Sequence, residues 1–209
     1  GQLLLNKETG NWYLELSSLI GDRTNLFAGQ QYHGYALTKA KDSIIVRPVI
    51  AWKGENLKVA LGAEGNVISD AIVTSDDVSV SDRMGYGLTT SWTQDALVIN
   101  ANAARMDAED ETDTTLGANL LWHNAGLGYI YAINDISSAN LNNPDADFGK
   151  MVGKHTINTV YASYKIPSVL DLDNFDIYLG AYWSQLNVDS AEVDNIDRYG
   201  GRVRFKYFF

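Results

Sequence analysis

Tyr199-Gly200-Gly201-Arg202-Val203-Arg204-Phe205-Lys206-Tyr207-Phe208-Phe209 is the stretch whose reading decides the fold. Counting back from Phe209 in steps of two gives Tyr207, Phe205, Val203, Gly201 and Tyr199, an apolar and aromatic set. The positions between them are Phe208, Lys206, Arg204, Arg202, Gly200 and Arg198, a set that is mostly cationic. A period of two is the signature of a β-strand, whose successive side chains leave opposite faces.

A strand ending in a terminal Phe, with Tyr two residues before it, resembles the last strand of a bacterial outer-membrane β-barrel. The competing reading is an amphipathic edge strand of a soluble all-β domain. Composition narrows the choice. The chain has 209 residues, enough for one domain or one barrel, and carries 26 acids against 16 bases for a net charge of −10. A nucleic-acid binder needs a basic surface, so nucleic acid is excluded as a partner. There is no cysteine, which removes disulfides and thiolate metal sites. The longest apolar run, Ile44 to Trp52, is broken by Arg47, so no segment reads as a transmembrane helix. A start at Gly1 without Met or a signal peptide is expected of a processed chain.

The alternation repeats along the chain. Residues 1–10 carry no clear pattern and are expected to form an N-terminal periplasmic arm, with a transmembrane barrel over 11–209. Strands are expected at 11–20, 43–52, 57–66, 83–92, 96–105, 114–122, 126–134, 155–166 and 174–186, and the terminal strand makes about ten. Pro48 falls inside the second of these, where it cannot donate to the ladder, and a bulge is expected there.

Two regularities favour a membrane barrel over a soluble sandwich. The connections alternate between long and short, as they do where periplasmic turns are short and outer loops long. The segments also run to about ten residues, the length of a tilted membrane crossing and longer than the usual soluble strand. With the short turns placed on the periplasmic side, Trp12, Trp52, Trp92 and Trp122 fall at that end, joined by Tyr129, Tyr164 and Tyr207. Aromatics gather at membrane interfaces because their rings are amphipathic. The expected architecture is an antiparallel up-and-down transmembrane β-barrel of the bacterial outer membrane, with both termini periplasmic.

The same parity sends Glu15, Arg47, Lys58, Glu64, Arg83, Lys165, Asp176, Arg198, Arg202, Arg204 and Lys206 inward, as lumen-lining residues. An excess of inward cations suits a lumen that attracts anions. The alternative is a braced polar interior, since a barrel of about eight strands is filled by its own side chains. Closure of the first strand on the last would bring Glu15 toward the cationic stripe. His33, His123 and His155 are scattered, and no Ser/His pair stands within a few residues, so no catalytic residue is assigned and an enzyme is not expected. The acidic run Asp107, Glu109, Asp110, Glu111 and Asp113 lacks the glycine of an EF-hand loop and reads as a solvated loop, so no metal or other cofactor is expected.

The stretch Val46-Arg47-Pro48-Val49-Ile50-Ala51-Trp52-Lys53-Gly54-Glu55-Asn56 resembles the second-strand-and-turn region of the MipA/OmpV outer-membrane family. Leu61-Gly62-Ala63-Glu64-Gly65 and Asp82-Arg83 are similar to its following strand and its approach to the fourth. The first strand departs from that family's glycine-rich pattern. The ending Lys206-Tyr207-Phe208-Phe209 also resembles small oligosaccharide porins of the KdgM type. The first resemblance implies a structural or adaptor role, scaffolding periplasmic cell-wall enzymes; the second implies a narrow porin for small anionic solutes such as oligosaccharide acids. Either way the expected partners are outer-membrane lipid, lipopolysaccharide and the barrel-assembly machinery, with Phe209 resembling the signal that machinery reads.

Overall fold

The computed structural model of the protein describes residues 1–21, 31–32, 35–40, 43–74, 77, 79, 82–138, 152–189 and 195–207. Phe209 and His33 lie outside these residues, and so does the interior of the longest connections.

The strands are β1 (Gln2–Thr9), β2 (Trp12–Gly21), β3 (Gln31–Tyr32), β4 (Tyr35–Ala40), β5 (Ser43–Lys53), β6 (Leu57–Asn66) and β7 (Ile72–Thr74). Then follow β8 (Met84–Gln94), β9 (Leu97–Asp107), β10 (Glu111–Trp122), β11 (Ala125–Ile136), β12 (Gly153–Ile166), β13 (Phe175–Val188) and β14 (Ile196–Tyr207). Eleven of them form one antiparallel sheet in the order β1-β2-β5-β6-β8-β9-β10-β11-β12-β13-β14, with β1 and β14 as its edges. The order follows the chain, as in an up-and-down barrel, because each strand pairs with the next through a turn or loop at its own end. β3, β4 and β7, drawn from two of the long connections, make a separate three-stranded sheet.

Nine of the expected strands and the terminal one are present within a few residues. The arm expected at 1–10 is instead β1, paired with β2 from Gln2↔Leu19 to Thr9↔Trp12. Its Leu3-Leu4-Leu5 run hides the alternation that the other strands display. The sheet therefore has eleven strands rather than ten. With an odd number, Gln2 starts at the end carrying the long connections and Tyr207 finishes at the end carrying the short turns, so the strand ends do not share one side. The bulge expected at Pro48 is absent. Leu16 pairs with Pro48 without interruption. On the other side the ladder skips from Val46↔Gly65 to Val49↔Gly62 in unchanged register. Pro48 removes a donor but inserts no extra residue.

At one end β10 and β11 are joined by the two residues His123-Asn124, with His123 in the left-handed region at φ 50°. The β9–β10 connection at the opposite end is also short, residues 108–110, so the acidic run is not one loop. Asp107 closes β9, and Glu111 and Asp113 belong to β10. This end is cross-braced: Ser79 N donates to Glu109 Oε2 at 2.6 Å, and Ser137 N to the Asp110 carbonyl at 2.9 Å. The buried apolar residues among those described are Ala71, Val73 and Ile136, the last at the long-connection end of β11.

Candidate functional site

The pairing register gives the large sheet two faces of opposite chemistry. Directly opposed residues share a face. The row Leu14↔Ile50, Ile50↔Leu61, Leu61↔Leu88 belongs to one face, and so do Leu116↔Tyr131 and Leu179↔Val203. The leucines, Ile50 and Val203 of this set are exposed, Leu61 by 52%. A contiguous apolar surface of this extent has no place in water. A sheet spanning lipid needs it, and satisfies its backbone through its own ladders. Trp12↔Trp52, Leu57↔Trp92, Trp122↔Ala125, Ala125↔Tyr164 and Phe175↔Tyr207 carry the expected aromatics on this apolar face toward the short-turn end. Tyr129 stands further in, and its hydroxyl donates to Asn158 Oδ1 at 2.6 Å, satisfying a polar group on an apolar face.

The other face is polar and in part bare. Gly62 lies opposite Gly87, and Glu64 opposite Gly85. Together with Arg47, Thr89 and Ala104 these line an open groove of ≈ 800 Å³. Arg47 and Glu64 form an ion pair within it, and both remain exposed. Across the sheet, Asn100 Nδ2 donates to Asn119 Oδ1 at 2.9 Å and Thr159 shares a hydrogen bond of 2.8 Å with Ser184.

The cations concentrate on β12–β14. Lys165 meets Asp176 at 2.8 Å, and the Asp176 side chain is only 8% accessible. Lys206 Nζ lies 4.8 Å from the Tyr178 ring centre and Lys165 Nζ 5.8 Å. Arg204 stands opposite Tyr178, Arg202 opposite Gly180 and Arg198 opposite Ser184, all on the polar face. Tyr178, Gly180, Arg202, Arg204 and Lys206 border a cleft of ≈ 200 Å³. Among the described residues no carboxylate pairs with Arg198, Arg202, Arg204 or Lys206. The three acids expected to meet them are engaged elsewhere: Glu64 with Arg47, Asp176 with Lys165, and Glu15 with the Tyr13 hydroxyl. Glu15 sits in the row Asn6↔Glu15↔Val49, with β1 between it and the sheet edge, and does not meet β14. Lys58, opposite Lys53 and Ser91, shares the polar face, as Arg83 does by parity with Gly85.

A two-faced, up-and-down sheet of membrane-length strands is the geometry of a porin wall, and the family comparison agrees. The family described as "Porin-like glycoporin RafY" matches residues 1–209. The chain belongs to that family. No curated protein matches the sequence. Among solved structures, this porin-like chain is similar to the loop-L8 deletion form of OmpT, an outer-membrane protein of Vibrio cholerae, with TM-score 0.56 and 10% identity over 99% of this chain and 62% of that one. OccK5 (OpdH) of Pseudomonas aeruginosa gives TM-score 0.57 and 14% identity over 99% and 59%. OmpT folded in vitro gives 0.54 and 10% over 99% and 64%. At such identities the likeness concerns the fold. The chain spans less than two thirds of the length of each of these neighbours. The protein is a porin-like β-barrel chain of the bacterial outer membrane. The narrower resemblance to MipA/OmpV finds no support in the family match.

Sequence reasoning passed over two groups of residues on the polar face of this porin-like chain. One is the tyrosine pair Tyr161↔Tyr182, flanked in the same row by Gly128 and Gly200. Its sequence signal is a Tyr on the inward parity of a strand next to one with an inward Gly. The other is the long-connection rim, where Asn134 Nδ2 donates to Glu111 Oε1 at 2.7 Å and to the Asp113 carboxylate. Asp110, read as solvated, is buried and accepts from Ser138 Oγ at 3.2 Å. His155, on the same rim opposite Asn134, is 3% exposed. Among the described residues no three His, Asp or Glu side chains are disposed to hold a metal ion.

Proposed function

We infer that the chain forms the wall of a water-filled outer-membrane channel through which small hydrophilic solutes diffuse, with an interior biased toward anions. The observation that carries this reading is the set Arg198, Arg202, Arg204 and Lys206, which has no carboxylate partner among the described residues. A barrel whose interior only braced itself would neutralise such charges, because an unpaired desolvated cation is costly. Left facing water, they attract anions, as charged rings do in pores. The bare strip at Gly62, Gly85 and Gly87 adds a stretch of wall with no side chain to fill the space before it. Eleven strands also exceed the roughly eight at which side chains fill a barrel. The glycoporin description of the family adds saccharides to the solutes to be tried.

The channel reading stands ahead of the scaffolding of cell-wall enzymes that the sequence resemblance implied, because scaffolding gives the polar face no task. The apolar face would meet outer-membrane lipid, and the long-connection rim lipopolysaccharide. Single-channel recording in a planar bilayer tests the reading. Stepwise currents whose reversal potential in a salt gradient reports anion preference are expected. Folded, membrane-inserted protein that passes no current would refute it.

A further inference from the structure

The apolar face carries an arginine. Arg105 on β9 stands opposite Tyr86 and Thr114, and so shares the face of Leu88, Ala103 and Leu116, which form the next row toward the short turns. A charge directed at lipid is costly unless it is paired, and where one is found it marks a site. Asp107 holds Arg105 by one edge, accepting from Nη2 at 2.7 Å and from Nε at 3.1 Å. Nη1 reaches Thr114 Oγ1 only at 3.5 Å, and the Arg105 side chain stays 54% exposed. The edge that carries both Nη1 hydrogens and the second Nη2 hydrogen meets no carboxylate among the described residues.

Arg105 and Thr114 border an apolar groove of ≈ 710 Å³ on this face. The row Leu14, Ile50, Leu61, Leu88, Ala103 and Leu116 runs along it. This row is not level in the membrane. Trp122 pairs with Leu97, whereas the row of Trp12 and Trp52 passes through Val59, Thr90 and Ala101 to Ala118, four residues further along β10. With the short-turn aromatics at one depth, the rows slope across the sheet, as tilted strands require. Leu116 lies six residues from Trp122, and Leu14 only two from Trp12. At about 3.3 Å per residue and a tilt of about 45°, those are depths of about 14 Å and about 5 Å from the short-turn interface. The Arg105 row meets β10 at Thr114, about 19 Å from that interface, which is about 6 Å below the other one for a band about 25 Å tall. An arginine covers the remainder by extending its charged head toward the headgroups. The groove therefore starts near headgroup level at Arg105 and descends into the hydrocarbon.

Lipid would wet the whole apolar face. This part differs in being concave and in ending on a guanidinium, which matches an acyl chain joined to a phosphate. We propose that the groove binds one phosphorylated, acylated saccharide of the lipopolysaccharide leaflet, with an acyl chain along Leu88 and Leu61 and the phosphate on Arg105 and Thr114. A phosphate accepts two parallel hydrogen bonds from one guanidinium edge. Asp107 is a positioning residue: by holding Nε and Nη2 it turns the other edge to the headgroups. The site rests on the reading that the long-connection rim faces lipopolysaccharide. It uses neither the polar face nor conduction.

Native mass spectrometry of the detergent-folded protein reads bound lipid without current. The probes are bisphosphorylated lipid A, the same lipid with its phosphates removed, and inorganic phosphate. The wild type should retain lipid A. Removing the phosphates should weaken retention roughly tenfold or more, the worth of one charge-assisted contact, and Arg105→Gln should do the same. Ala103→Trp, which fills the groove and keeps the arginine, should also weaken it. Dephosphorylated lipid retained as strongly as lipid A would make the groove a plain acyl slot and overturn the proposal. Lipid A displaced by equimolar inorganic phosphate would mark a plain anion site and overturn it. So would lipid A retained equally by Arg105→Gln and Ala103→Trp. The rim's orientation is read separately: the chain has no cysteine, so Ser138→Cys gives one label position. A membrane-impermeant maleimide should label it in intact cells. No labelling would refute the rim reading and the assignment to lipopolysaccharide, whatever binds in detergent. A protein that conducts but retains no lipid A would lose the site and keep the channel.

Discussion

Replacing Leu116 by arginine probes the sheet's place in the membrane where it should be deepest. Leu116 projects from the apolar face of β10 between Ala103 and Tyr131, and is 48% exposed. It stands six residues before Trp122, the aromatic at the short-turn end of the same strand. At about 3.3 Å per residue and a tilt of about 45°, that separation is about 14 Å of depth. An apolar band about 25 Å tall has its midplane about 12–13 Å from either interface, so Leu116 falls at the centre. Arginine there should cost about 2–4 kcal/mol. Leu120, two residues from Trp122, lies only about 5 Å deep, and arginine there should cost nearer 1 kcal/mol. Thr115 is the matched control: it is adjacent in sequence but sits on the polar face between Ala104 and Ala132, so arginine should be nearly neutral. Reversible urea unfolding from lipid vesicles, followed by the fluorescence of the five tryptophans, measures all three. Equal costs at positions 116 and 120 would refute the depth assignment. A larger cost at position 115 than at 116 would reverse the faces.

Three further outcomes are expected. Gly128→Ala places a methyl where the Tyr161 ring lies and should lower stability by about 1–3 kcal/mol, whereas Gly87→Ala, with nothing within 4 Å of its Cβ, should leave the urea midpoint nearly unchanged. Asp176→Asn removes the only acid among the described residues that meets Lys165, and the freed cation should move the reversal potential further toward anions. Spin labels at Leu120 and Asn119 should differ in collision with a lipid-soluble quencher, the label at Leu120 being the more accessible, and equal accessibility would contradict the register.

Parity made most of the fold legible. Once Tyr207, Phe205 and Val203 were set against Lys206, Arg204 and Arg202, the same alternation recurred strand after strand, and the register puts each set on a single face. What escaped was non-local or masked by composition. β1 was missed because Leu3, Leu4 and Leu5 are apolar on both faces, and only pairing with β2 defines its register. The acidic run looked like a loop because charge was read as exposure. In fact Glu111 and Asp113 face Asn134, and Asp107 is held by Arg105 at 2.7 Å. Pro48 suggested a bulge because its missing donor was equated with a shifted register, whereas the ladder merely skips it. The partners of the cationic stripe could not be assigned from sequence, since which carboxylate meets which base depends on strand order; Asp176 meets Lys165, and β1 stands between Glu15 and the edge. The contacts of Tyr161 with Gly128 and of Tyr182 with Gly200 were invisible for the same reason, since which glycine a ring meets depends on strand pairing.

The facing glycines of β6 and β8 have a consequence for how such a wall can vary. At Gly62 and Gly87 the surface presented to the open side is peptide backbone alone. It holds no titratable atom, so its polarity is the same at any pH, and no rotamer, so its outline does not fluctuate with side-chain motion. Every possible substitution there adds atoms. Variation at this part of the wall can therefore run in one direction only, toward a narrower groove. Any widening has to come from shortening side chains elsewhere, such as Arg47 or Thr89 along the same groove.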